Sequence, residues 1–102
     1  MQFIIKAYDG TDEGALDRRM QARPAHLENI QKVKANGRVV CAGGLLDDNG
    51  KMIGSFLVME FENRQMLDAY LETEPYVCCN VWQNITVERC NVVIMNDELV
   101  NK

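Results

Sequence analysis

The stretch Asp47-Asp48-Asn49-Gly50 separates two apolar, β-branched runs, RVVCAGGLL (residues 38–46) and MIGSFLVMEFE (residues 52–62). An Asn-Gly pair between such runs is a strong hairpin signal, because glycine takes the positive φ that a tight turn demands. A hairpin at the middle of the chain limits the folds open to it. Each flanking arm has to supply whatever completes the sheet and covers it.

Both arms contain a strand and a helix. In the first, QFIIKAY (residues 2–8) places Phe3, Ile5 and Ala7 on one side, the period of a strand. Asp9-Gly10-Thr11-Asp12 reads as a turn, followed by a short helix over Glu13–Gln21 with Leu16 and Met20 on one face. Pro24 suits the first turn of a new helix, since its missing N–H needs no partner there. That helix runs to about Asn36 and ends at Gly37, with His26, Ile30 and Val33 on one face. In the second arm, Asn63 caps a helix whose apolar stripe is Met66, Leu67, Tyr70 and Leu71. Pro75 stops it, a short helical piece follows, and residues 84–95 (NITVERCNVVIM) form the last strand. The order is β-α-β-β-α-β with the first helix broken near residue 22. This is the ferredoxin-like α+β arrangement, a four-stranded antiparallel sheet with helices on one face.

At 102 residues one domain over residues 1–102 is expected, with no linker or repeat. A net charge of −4, with no basic cluster longer than Arg18-Arg19, argues against a nucleic-acid surface. The N-terminal apolar run is too short for a signal peptide and no apolar run is long enough to span a membrane, so a cytoplasmic protein is expected. Cys41, Cys78, Cys79 and Cys90 form no CxxC pair and have one histidine among them, which argues against zinc. They read as small buried residues in a reducing compartment.

The faces of the strands carry a further implication. In the third strand Ile53, Leu57, Met59 and Phe61 share one face and Phe56 and Val58 the other. In the last, Ile85, Val87 and Val93 oppose Cys90, Val92 and Ile94. Two helices cover one face only, so the second has to meet something apolar. A second copy of the sheet is the economical answer, giving a homodimer with a cavity between the sheets. Whether dimers associate further is left open.

His26 is the single histidine. It reads either as an exposed residue at a helix start, or as a base in the first helical turn, where the positive end of the helix favours neutral imidazole. Glu74 precedes a proline and either caps the next segment or partners a base. Ser55 lies among Leu57, Met59 and Phe61, where a serine usually bonds to backbone. Arg23 reads as solvent-exposed or as an anchor for an anionic substrate. Gly43, Gly44 and Gly54 match no phosphate loop and mark bulges or room for a ligand. Tyr76 and Trp82 belong to the core, an interface or a pocket wall.

The segments RPAHL (23–27), GRVVCAGGL (37–45), Gly54-Ser55 and Glu74-Pro75-Tyr76 occur together and in order, and in this the chain resembles the YCII-related family of dimeric α+β barrel proteins. The resemblance implies a ferredoxin-like subunit that dimerises through its sheet. It also implies a pocket holding a catalytic histidine–aspartate pair and a nearby serine. His26 matches the histidine and Ser55 the serine. Glu74 stands where the family has aspartate in Asp-Pro-Tyr, which keeps the carboxylate and adds a methylene. Some relatives resemble dehydrochlorinases acting on chlorinated hydroxyquinols, and the wider group includes lactone isomerases and cofactor-free monooxygenases. The expected function is cofactor-independent acid–base chemistry, an isomerisation or elimination, on a small cyclic or aromatic compound. His26, Glu74 and Ser55 are the catalytic candidates. Arg23, Gly44 and Tyr76 are the substrate-binding ones, and no metal is expected. The alternative is a dimeric module that binds a small ligand, or regulates, without turnover.

Overall fold

In the computed structural model, which describes residues 1–95, 98 and 99, strands β1 (Gln2–Asp9), β2 (Val39–Leu46), β3 (Met52–Glu60) and β4 (Trp82–Cys90) form one antiparallel sheet ordered β2-β3-β1-β4. Helix α1 (Ala15–Ala35) connects β1 to β2, and α2 (Arg64–Thr73) with the short α3 (Pro75–Cys78) connects β3 to β4. This is the ferredoxin-like α+β architecture. A two-residue strand β5 (Ile94–Met95) pairs with β6 (Glu98–Leu99) apart from the main sheet.

The core lies between the helices and one face of the sheet. Phe3, Ile5 and Ala7 of β1 and Leu57 and Met59 of β3 point into it and meet Ala22, Leu67, Tyr70 and Tyr76. Cross-strand pairs set this register: Phe3 opposes Met59 and Ile5 opposes Leu57, so every second residue faces inward. Gly54 opposes Tyr8, and a Cβ there would collide with the Ala7 carbonyl. Glycine therefore lets β3 approach β1 closely, beside Ser55.

Local signals end the elements where expected. Gly37 takes φ +74°, and the Arg38 N–H donates to the Val33 carbonyl at 3.0 Å, closing α1. Asn63 Oδ1 accepts from the Met66 N–H at 2.9 Å and caps α2. In the hairpin only Gly50 has positive φ, and Asp47 Oδ1 ties down the N–H groups of Asn49 and Lys51.

Three expectations about the elements are corrected. First, α1 is one continuous helix of 21 residues with Pro24 inside it, so His26 sits in its middle rather than in a first turn. An interior proline costs about 3 kcal/mol through a lost hydrogen bond and a clash. Side chains anchored on both sides of it, Arg19 before and His26 after, hold the helix through that point. Second, Leu16 and Met20 face solvent, and the buried residues of that segment are Ala15, Arg19 and Ala22. Third, the last strand begins at Trp82 and ends at Cys90, not Met95. Cys90 is already opposite Gln2, the first residue of β1, so no ladder remains for residues 91–95.

The sheet face away from the helices is apolar on its β2–β3 side and polar toward β4. Register places Cys41, Leu45, Phe56, Val58 and Ile4 there, alongside Lys6, Thr86 and Glu88. Cys41 is accordingly exposed, as are Cys78 and Cys79, and Cys90 is half-buried, so the expectation of buried cysteines fails. All four are free thiols.

Candidate active site

Arg19 reaches from α1 to the end of β1 and is almost fully buried. Its Nη1 donates to both carboxylate oxygens of Asp9, at 3.0 and 3.1 Å, and its Nη2 donates to Ser55 Oγ at 2.9 Å. Trp82 Nε1 donates to the same Oγ at 3.2 Å. Four elements thus meet at Ser55: β1 through Asp9, α1 through Arg19, β3 itself, and β4 through Trp82. A buried ion pair survives desolvation only when well bonded, and this one has a bidentate carboxylate and a hydroxyl.

Next along α1 comes His26. Its Nδ1 lies 2.5 Å from Glu74 Oε1, and Glu74 is fully buried. Glu74 Oε1 also accepts from the Tyr76 backbone N–H at 3.2 Å, and Oε2 accepts from the Tyr70 hydroxyl at 2.6 Å. Extended backbone at Glu74, φ −70° and ψ 122°, is what a residue before proline adopts, and it turns the carboxylate back over the start of α3. Burial pushes the Glu74 carboxyl up, but the bonds from His26, Tyr70 and the Tyr76 N–H outweigh it and hold it below the usual carboxylate range. The Tyr70 phenol is pushed up by burial and by the Glu74 charge. Glu74 therefore stays an acceptor and Tyr70 a donor.

The imidazole of His26 stacks on Tyr76, with centroids 3.9 Å apart, and meets the edge of Trp82 at 5.9 Å. Arg19 lies over the same Tyr76 ring at 4.9 Å. Burial pushes the Tyr76 phenol up, against the pull of Arg19 and Arg23.

Part of this cluster borders a cleft of about 220 Å³ between α1 and the β2–β3 side of the sheet. His26, Ser55, Arg23, Gly44 and Tyr76 all line it, as does Arg19. Glu74 is not part of the wall and sits behind His26. Ala42 and Gly44 of β2 present a methyl group and a hydrogen to the cleft, opposite His26, Leu27 and Ile30 of α1. Among the described residues no group of three or more His, Cys, Asp or Glu side chains is placed to hold a metal ion. No helix among them is long and apolar enough to cross a membrane.

Residues 1–91 match the YCII-related domain. The chain belongs to the YCII-related family. It is 32% identical over 94 residues to protein YciI of Escherichia coli O6:H1, covering 86% of this chain and 94% of that one, and equally to protein YciI of Shigella flexneri. Among solved structures it is similar to the 5-chloro-2-hydroxyhydroquinone dehydrochlorinase TftG of Burkholderia phenoliruptrix AC1100, in complex with 2,5-dihydroxybenzoquinone. There the TM-score is 0.77 at 29% identity, over 89% of this chain and 94% of that one. A likeness to an antibiotic biosynthesis monooxygenase, at TM-score 0.52 and 19% identity, concerns the fold alone.

Asp9, Arg19 and Tyr70 join the cluster without standing out in the sequence. The signal for Arg19 was present. Arg19, Arg23, His26, Ile30 and Val33 fall at i, i+4, i+7, i+11 and i+14, a single stripe on one uninterrupted helix. Breaking the helix at residue 22 cut that stripe in two. Asp9 and Tyr70 carried no local signal. Their roles depend on residues 10 and 4 positions away and on burial.

Proposed function

We propose that this chain is an enzyme that moves a proton on a small cyclic or aromatic compound, without a cofactor, by isomerisation or by elimination of H–X. The single observation that carries the reading is the His26–Glu74 pair at 2.5 Å on the wall of a cleft. Glu74 accepts from Nδ1–H, fixes that tautomer, and leaves Nε2 as the basic nitrogen. In an elimination His26 takes a proton from carbon or oxygen of the substrate. The electron pair of the broken bond forms the new double bond, and the leaving group departs with its own pair. Protons and electrons balance without an electron acceptor. The similarity to a dehydrochlorinase whose complex holds a small ring supports this class of substrate.

Ser55 acts here as a positioning residue, since its oxygen already accepts from Arg19 and Trp82. The working unit is a homodimer whose second copy covers Phe56 and Val58 on the open sheet face.

A screen of lactones and chlorinated hydroxyquinols tests the proposal, with chloride release and product spectra as readouts. His26→Gln keeps an N–H for Glu74 but removes the base, and should lower turnover by about 10²–10⁴-fold. Tight binding across the panel with no turnover would instead favour a ligand-binding module.

A further inference from the structure

The chain carries a net charge of −4, yet among the described residues no aspartate or glutamate lines the cleft, while two arginines and the histidine do. The two arginines differ. Arg19 is neutralised by Asp9 and bonded to Ser55. Arg23, one helical turn further on and half-buried, has no ion pair or side-chain hydrogen bond among the described residues. Tyr76 lines the same cleft, and among the described residues its hydroxyl makes no hydrogen bond, which leaves it free to donate to a ligand there. A half-buried cation and a phenol on the wall of one cleft, neither engaged by the described chain, offer two donors to a bound acceptor. Shape narrows the acceptor. Gly44 and Ala42 leave the β2 wall almost bare, and a Cβ at Gly44 would lie 3.2 Å from Met52 Cε. The volume of about 220 Å³ exceeds the cavity of about 150 Å³ that admits benzene, so a single ring fits.

We propose that the cleft binds a flat ring bearing one ionised oxygen, a phenolate, enolate or carboxylate, with that oxygen held by the Arg23 guanidinium and the Tyr76 hydroxyl. This deepens the proposed function and rests on its choice of cleft. Holding the negative charge at Arg23 leaves the ring lying toward His26, which follows the Asp9-paired Arg19 by about two helical turns. A substrate that is already an oxyanion also keeps the base from being spent on ionising a hydroxyl. Charge, rather than apolar fit, then decides which rings enter. A neutral ring of the same shape leaves Arg23 and Tyr76 unpaired in a partly desolvated wall, which is a strong form of discrimination.

The test is calorimetric binding to the full chain with three probes: 2,5-dihydroxybenzoquinone, benzoate and benzamide. The last two share a shape and differ in charge. Both anions should bind at least about tenfold tighter than benzamide, with affinity falling as salt rises. Arg23→Gln should bring benzoate down to the benzamide level and leave benzamide unchanged, and Arg23→Lys should recover part of the loss. Tyr76→Phe should weaken the anions alone. Equal binding of benzoate and benzamide, or an Arg23→Gln loss shared by both, overturns the proposal. None of these readouts needs turnover. Anion binding through Arg23 in a protein that turns over nothing would leave this inference standing and sink the enzyme reading. Turnover indifferent to Arg23 would do the reverse.

Discussion

The imidazole of His26 lies flat on the ring of Tyr76, 3.9 Å between centroids and 9° between planes. Trp82 meets that ring edge-on at 5.4 Å, and Arg19 covers it at 4.9 Å. One aromatic ring therefore joins the His26–Glu74 pair to the Asp9–Arg19–Ser55 cluster.

It follows that the ring of Tyr76, and not its hydroxyl, holds the two halves in register. Tyr76→Phe should leave stability within about 1 kcal/mol of the parent, whereas Tyr76→Ala should lose about 3–5 kcal/mol, the usual range for emptying an aromatic core site. Urea unfolding of the two variants measures the difference. Equal losses would show that the hydroxyl, and not the stack, matters to the fold.

Asp9 is the carboxylate that lets Arg19 be buried. Asp9→Asn removes the charge and keeps the shape, leaving a nearly inaccessible guanidinium uncompensated. The expected loss is about 3–5 kcal/mol. Combining it with Arg19→Leu should cost less than the sum of the two single changes, because each removes the same pair. Additive losses in a double-mutant cycle would mean that Asp9 and Arg19 are not coupled as their 3.0 Å contact indicates.

Strand periods, the Asn63 cap and the Gly37 stop were legible in the sequence because each depends on residues within a turn of one another. The candidate cluster was legible in part. His26, Ser55 and Glu74 stood out by rarity and motif, and the structure brings all three to one place. What the sequence hid was long-range compensation. A proline inside α1 reads as a break until Arg19 and His26 are seen anchored on either side of it. An arginine reads as surface until Asp9, ten residues earlier, is found beneath it. The end of β4 was equally invisible. It is set by where β1 begins, a constraint that residues 91–95 do not encode.

The open sheet face supplies a prediction about assembly. Val58 and Cys41 are cross-strand partners on that face, and Cys41 is exposed in the single chain. If a second copy covers this surface, sedimentation at micromolar concentration should give a dimer. Cys41 should then react with a thiol reagent more slowly than the exposed Cys78 and Cys79. Denaturation should release all four thiols at one rate. A monomer with Cys41 as reactive as Cys78 would remove the sheet-to-sheet dimer.

Acid should weaken the fold through Glu74, and the sign follows from its lowered folded-state value. Above the unfolded carboxylate value of about 4.3, both states are ionised and the stabilisation by His26, Tyr70 and the Tyr76 N–H is fully present. As pH falls through that value the unfolded chain takes up a proton that the folded one refuses. Stability then drops until the folded carboxyl is itself protonated. Asp12 and Glu62 are also held low, by Arg18 and Arg38, so part of the acid slope belongs to them. The informative quantity is therefore a difference between variants. Tyr70→Phe strips Oε2 of its donor and should cost about 1–3 kcal/mol near neutral pH. That gap should narrow in acid, because protonation removes the charge that the Tyr70 hydroxyl serves. Glu74→Gln should flatten the stability profile between about pH 5 and about pH 3 relative to the parent. Urea midpoints across that window decide the matter. A Tyr70→Phe gap that stays constant, with Glu74→Gln as steep as the parent, would show that the buried carboxylate is not ionised as its three donors require.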